Sequence, residues 1–202
     1  MSKRGVILYR ASWMTLLVAS VFALIASFVL SIEELRLIKD PDAVLSCSFN
    51  LVLNCAGVMD TWQASVFFGV PNMFIGLMAF PVIITVAVAA LWGGARFTRG
   101  FMVAMNVGVL LGTVFAYWLF FNSVYVIEIL CPWCLIVTTA CTLMLAAVTH
   151  MTLKENYLGI AKKTNKTVQI FLKKDYHKLL VASWIVIMIA LVFLKFGADL
   201  FA

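Results

Sequence analysis

Five long apolar runs, separated by shorter polar stretches, set the pattern of this chain. They cover residues 11–30, 71–91, 101–121, 132–151 and 179–194. Crossing a bilayer takes about 20 helical residues, so the runs have the length of membrane spans. The third can continue toward Leu130. The fifth is the shortest, but Lys178 and Lys195 at its two ends can snorkel to the interface. Backbone N–H and C=O groups find no partners in lipid, so each run must be helical. The expected fold class is an all-α integral membrane protein with five transmembrane helices. Pro81 sits mid-run and is expected to kink the second helix. No internal repeat or low-complexity tract breaks the pattern.

Composition supports the membrane reading. The 202 residues are 64% hydrophobic and 12% charged, with a mean hydropathy of +1.07. Soluble domains are about half apolar and about one quarter charged. The net charge of +6 does not point to nucleic acid, because the basic residues sit in short stretches between the apolar runs. Their distribution sets a direction instead. Lys3, Arg4 and Arg10 precede the first run, and Arg96 and Arg99 lie between the second and third. Lys154, Lys162, Lys163, Lys166, Lys173, Lys174 and Lys178 lie between the fourth and fifth. Only Arg36, Lys39 and Lys195 fall on the other side. The positive-inside rule therefore predicts a cytoplasmic N-terminus and an external C-terminus. The first run reads as an uncleaved signal anchor, since it is too long for a signal peptide and lacks a clear cleavage site. The expected organisation is a core over 1–151 with an outer loop at 33–68. A basic cytoplasmic loop follows at 152–178, then the fifth helix and C-terminus at 179–202. Anionic lipid can attract the basic loop, but its charges are read first as an orientation signal.

That direction places the cysteines. Cys47 and Cys55 fall in the outer loop, Cys131 and Cys134 at the outer end of the fourth helix, and Cys141 deeper in it. Four of the five thus share the side on which disulfides persist. In Cys131-Pro132-Trp133-Cys134, Pro132 suits the first helical position, where its missing N–H costs nothing. Cys131 then lies near the N-cap, and the positive end of the helix dipole favours a thiolate. Glu128 nearby opposes this somewhat. Two apolar cysteines that never cycle are the plainer alternative. A Cys47–Cys55 disulfide would close a small loop, worth roughly 2–3 kcal/mol in the chain-entropy model. That value suits a static staple or a redox shuttle. No metal site is expected, because the spacings are not a usual zinc framework and no histidine lies on the outer side. His150 and His177 fall at the inner helix ends as interfacial residues. Cys141 shares a face with Cys134 and Thr138, about 10 Å deeper, and reads as a packing residue.

These residues resemble the vitamin K epoxide reductase family, in particular its bacterial members that oxidise thiols and reduce quinone. The resemblance covers roughly residues 12–150, the family's four-helix core, and implies a bundle of four helices with the fifth peripheral. Cys47 and Cys55 look like the family's shuttle cysteines, and Cys131 and Cys134 like its active-site pair. The stretch 63–76, Gln-Ala-Ser-Val-Phe-Phe-Gly-Val-Pro-Asn-Met-Phe-Ile-Gly, resembles the family's entry into its second helix. Within it, Asn72 matches the asparagine that hydrogen-bonds a quinone oxygen. Thr138 stands where the vertebrate enzymes have a tyrosine, which weakens the case for epoxide reduction. Thr61 fills the place of a Ser or Thr found shortly after the second loop cysteine.

The resemblance implies a quinone-dependent thiol oxidase of the bacterial plasma membrane, with its bundle built around the quinone. Menaquinone and ubiquinone both fit. The implied partner is a separate, secreted or periplasmic thioredoxin-fold oxidase that reduces Cys47–Cys55. Reduced Cys55 would then attack Cys131, Cys47 would resolve the mixed disulfide, and Cys134 would pass electrons to quinone. The loop pair is expected to be exposed and mobile to meet a large protein. Trp62, Phe67, Phe68, Phe74 and Trp133 are candidate pocket walls, though aromatic residues at this depth are also ordinary interface anchors. Reduction of a quinone epoxide and a non-enzymatic membrane scaffold are the competing readings.

Overall fold

The computed structural model describes residues 3–41, 43–159, 170, 172 and 176–200. Among the described residues the fold is all-helical, and five helices are long and apolar enough to cross a membrane. They are α1 (Lys3–Lys39), α3 (Asn72–Leu91), α4 (Arg99–Asn122), α5 (Pro132–Lys154) and α6 (Tyr176–Phe196). A short helix α2 (Cys55–Met59) and a 3-10 turn (Trp62–Ser65) lie between α1 and α3. Lys162, Lys163, Lys166, Lys173 and Lys174 of the expected basic loop lie outside the described residues.

The helix limits follow from local chemistry. α1 runs nine residues past its apolar run and ends just before Asp40-Pro41. A residue before proline is disfavoured in the helical region. Buried Leu30 and Glu33 and partly buried Leu37 share one face of this extension. α3 starts directly after Pro71 and continues through Pro81. Thr98 caps α4 by accepting a hydrogen bond from the Phe101 N–H. After Asn122 the chain makes a wider π turn over Ser123–Ile127. It stops at Glu128, which adopts a left-handed φ of +58°.

Packing places α1 between α3 and α5, and α4 against the other side of α5. Ala19, Ser20, Ala23, Ala26 and Ser27 are buried along α1. Small residues at this spacing let membrane helices approach closely. The approach is tightest at Gly76, where a Cβ would lie 2.5 Å from Ser27 Oγ. Away from the two cysteine pairs, Trp13, Leu16, Met102, Met144 and Met151 form much of the main core. Polar contacts cross the bundle there, Ser12 Oγ to His150 Nδ1 at 2.8 Å and Asn106 Nδ2 to Thr149 Oγ1 at 3.1 Å.

Candidate functional site

The cysteine end of the bundle is organised by the chain after α1. Cys47 and Cys55 are joined in a disulfide with a Cα–Cα distance of 5.7 Å. Within the closed loop, Asn50 Oδ1 accepts hydrogen bonds from the Val52 and Leu53 N–H groups. This Asx-type turn reverses the chain and sends residues 52–54 alongside Leu130. The Leu130 N–H donates to Val52 O at 2.7 Å, and the Asn54 N–H donates to Leu130 O at 3.0 Å. The result is one parallel bridge between Leu53 and Leu130.

That bridge sets which sulfurs meet. Asn54 follows it and caps α2, accepting from the Gly57 N–H at 3.3 Å and from Ser48 Oγ at 2.7 Å. Cys55 is therefore the first residue of α2, while Cys131 is the N-cap of α5 with Pro132 next. The two sulfurs lie 3.5 Å apart. Cys131 Sγ also accepts the Cys134 N–H at 3.3 Å, and both Cys131 and Cys134 are free thiols. The Cys131 pKa is held below the ordinary thiol range. The Cys134 side-chain hydrogen bond is the largest cause, followed by the opposing effect of burial and then by the N–H groups of Cys134 and Trp133. A thiolate at this position is the form that attacks a disulfide.

The loop disulfide is buried, contrary to the exposure expected of a shuttle. Cys47 is 2% exposed and Cys55 is 0%. Leu30, Leu45, Met59 and Cys131 pack around them, with Met73, Trp133 and Cys134 at the margin. A latch holds this arrangement against α1. Ser46 Oγ donates to Glu33 Oε1 at 2.6 Å, and Glu33 is also bound by Arg36 at 3.3 Å. The sequence by itself gives Glu33, Asn54 and Leu130 no role in the site. Asn54 before a short apolar helix carries an N-cap signal, and Glu33 lies on the apolar face of α1. A single bridge at Leu130 leaves no signal.

The other expected contacts lie nearby with their polar groups engaged. Asn72 Nδ2 donates to Gln63 O at 2.7 Å, and its Oδ1 accepts from the Val66 N–H at 3.3 Å. Asn72 thus ties the 3-10 turn to the start of α3. Thr61 Oγ1 donates to Val58 O at 2.7 Å, and Thr138 Oγ1 to Cys134 O at 2.9 Å. Cys141 is buried in the main core, where its carbonyl accepts from Thr113 Oγ1 at 3.2 Å. An apolar groove of about 650 Å³ runs between α1 and α5, lined by Val18, Phe22, Ile136, Thr139 and Leu143 among others. At about 100° per residue, it lies on the face of α5 opposite Cys134, Thr138 and Cys141. Among the described residues, no group of His, Cys, Asp or Glu is placed to hold a metal ion.

Comparison with known families adds the deciding observation. The model of the vitamin K epoxide reductase family matches residues 14–149. The chain belongs to this family. The match takes in both cysteine pairs and α3, α4 and most of α1 and α5, and stops before α6. Comparisons with curated proteins and with solved structures find no match. Membership in the vitamin K epoxide reductase family makes this chain a membrane redox enzyme of disulfide formation, an oxidoreductase spanning the bilayer several times.

Proposed function

We propose that the chain is a quinone-dependent thiol oxidase that regenerates a secreted thioredoxin-fold oxidase in a bacterial plasma membrane. The supporting observation is the 3.5 Å separation of Cys55 and Cys131. Two electrons enter when the partner's dithiol reduces Cys47–Cys55 and leaves with its own disulfide. The Cys55 thiolate then attacks Cys131 of an oxidised Cys131–Cys134 pair, and Cys134 departs as a thiolate. Cys47 attacks Cys55, re-forms the loop disulfide and releases Cys131. The state with Cys47–Cys55 joined and Cys131 and Cys134 free corresponds to this point in the cycle.

Family members use quinones and work with thioredoxin-fold partners. When bound, a menaquinone or ubiquinone accepts two electrons and two protons. Cys134 lies on the face of α5 that carries Thr138 and serves as the electron-donating thiol. Asn72 is assigned to the quinone through its second Nδ2 hydrogen, since only one is engaged by Gln63. Thr138 and Thr61 are assigned to the same site as further quinone contacts. The cysteine end faces outward, the N-terminus lies in the cytoplasm, and the core ends near residue 151 before the basic segment.

The test uses purified protein in nanodiscs, a reduced thioredoxin-fold dithiol protein, and menaquinone or ubiquinone followed by absorbance. Quinone reduction should require the dithiol protein and fall by at least about 10³-fold in Cys134→Ala. Turnover of a quinone epoxide without quinone reduction would overturn the assignment. So would full activity with all four paired cysteines replaced by alanine.

A further inference from the structure

α6 lies beyond the family match, yet it is packed against the site. Met188, Val192 and Phe196 on one face of α6 form a buried cluster with Phe120, Val124 and Leu130. Leu53 packs against the same cluster. Leu53 and Leu130 are the two residues of the bridge that brings Cys55 to Cys131. Two polar contacts fix α6 in register. Lys195 Nζ pairs with Glu128, at the left-handed turn just before Leu130. Trp184 Nε1 donates to Tyr117 OH at 2.7 Å, and Tyr117 OH shares a hydrogen bond with Thr142 of α5 at 2.6 Å.

We propose that α6 is a positioning element for thiol exchange, holding the Leu53–Leu130 bridge in register through Met188, Val192 and Phe196. The argument is geometric. A bridge of two backbone hydrogen bonds has little rigidity of its own. Leu130 is fully buried, and α6 supplies one side of the buried cluster it belongs to. Removing that side frees Leu130 to shift, and Cys131 is the next residue. In-line attack on a disulfide needs sulfur near van der Waals contact, so a shift of about 1 Å slows exchange steeply. Phe196 and Val192 are thus positioning residues that touch no reacting atom.

The inference rests on the relay described above, and the test separates the two. In a Cys134→Ser background the Cys131 thiolate can attack Cys55 Sγ. The Cys47–Cys55 bond breaks, a Cys55–Cys131 bond forms, and Cys47 leaves as a thiolate, with no external oxidant. Acid quenching and mass spectrometry of the Cys55–Cys131 linked peptide give the rate. Phe196→Ala should slow its appearance about tenfold, and Phe196→Leu should restore most of the rate. Val192→Ala, a smaller truncation, should act in the same direction and replaces Phe196→Ala if that chain does not fold. Leu194→Ala, on the exposed side of α6, should leave the rate unchanged. An unaltered rate in both Phe196→Ala and Val192→Ala overturns the positioning role. An equal loss in Leu194→Ala also overturns it, because the effect would then be general loosening. If no linked peptide forms while α6 is intact, the relay itself fails.

Discussion

At Cys131 two effects act in opposite directions. Burial disfavours a thiolate, while hydrogen bonds from the Cys134 side chain and from the N–H groups of Cys134 and Trp133 favour it. The hydrogen bonds win, and the pKa is lowered. The pH consequence has a definite sign. With a lowered pKa, the reactive thiolate persists below the pH at which an ordinary thiol is already protonated. Exchange is lost only as pH falls through the lowered pKa. Because the Cys134 side chain is the leading cause, replacing it separates the contributions. Mixed-disulfide formation between Cys131 and Cys55 should have a higher midpoint pH in Cys134→Ala than in Cys134→Ser, whose hydroxyl can still donate. Quenched-flow sampling across about pH 5–9, which brackets an ordinary thiol near 8.5, measures both profiles. Coincident midpoints would remove the side-chain hydrogen bond from the account.

Among the elements, the contact of α1 with α3 is the most sharply constrained. A Cβ at residue 76 would lie 2.5 Å from Ser27 Oγ and 3.0 Å from Phe80 Cε2. Gly76→Ala should therefore push the two helices apart and cost about 1–3 kcal/mol. Ser27→Gly removes both Ser27 atoms from the clash, so the double variant should recover part of the loss. Thermal unfolding in detergent checks this, and a Gly76→Ala chain as stable as its parent would refute the close approach. The sequence made such elements legible in unequal degree. The five spans follow from the length lipid demands, and the N-cap role of Cys131 from Pro132. The extension of α1 to Lys39 is hidden, because its helical face mixes Leu30 and Leu37 with buried Glu33. The Leu53–Leu130 bridge is hidden too, since one paired residue has no period to detect. Burial of Cys47–Cys55 depends on that bridge and on the Glu33–Ser46 latch, neither of which the cysteine spacing encodes. The pairing of Lys195 with Glu128 leaves no trace in the sequence either, because the two lie on separate elements.

The whole molecule has two unlike ends, and the proposed orientation turns on that asymmetry. The cysteine end carries Glu33, Glu34, Asp40, Asp60, Glu128 and Asp199 beside Arg36, Lys39 and Lys195 among the described residues. At the other end, Lys3, Arg4, Arg10, Arg96, Arg99, Lys154 and Lys178 outnumber Glu155 among the described residues. Basic residues in short connections are retained on the cytoplasmic side, while acidic ones count little. The cysteine end should thus face outward, the side on which a disulfide between Cys47 and Cys55 persists and a secreted partner resides. Cysteine labelling in a chain otherwise free of cysteine tests this without any assay of activity. Asp60→Cys and Arg96→Cys place single thiols at exposed positions on opposite ends. A membrane-impermeant maleimide applied to intact cells should modify Asp60→Cys, and should modify Arg96→Cys only after the membrane is opened. The reverse order would put the exchanging sulfurs in a reducing compartment. A thiol oxidase serving secreted proteins has no place there, because glutathione would keep the loop pair open and the relay would have no disulfide to pass on.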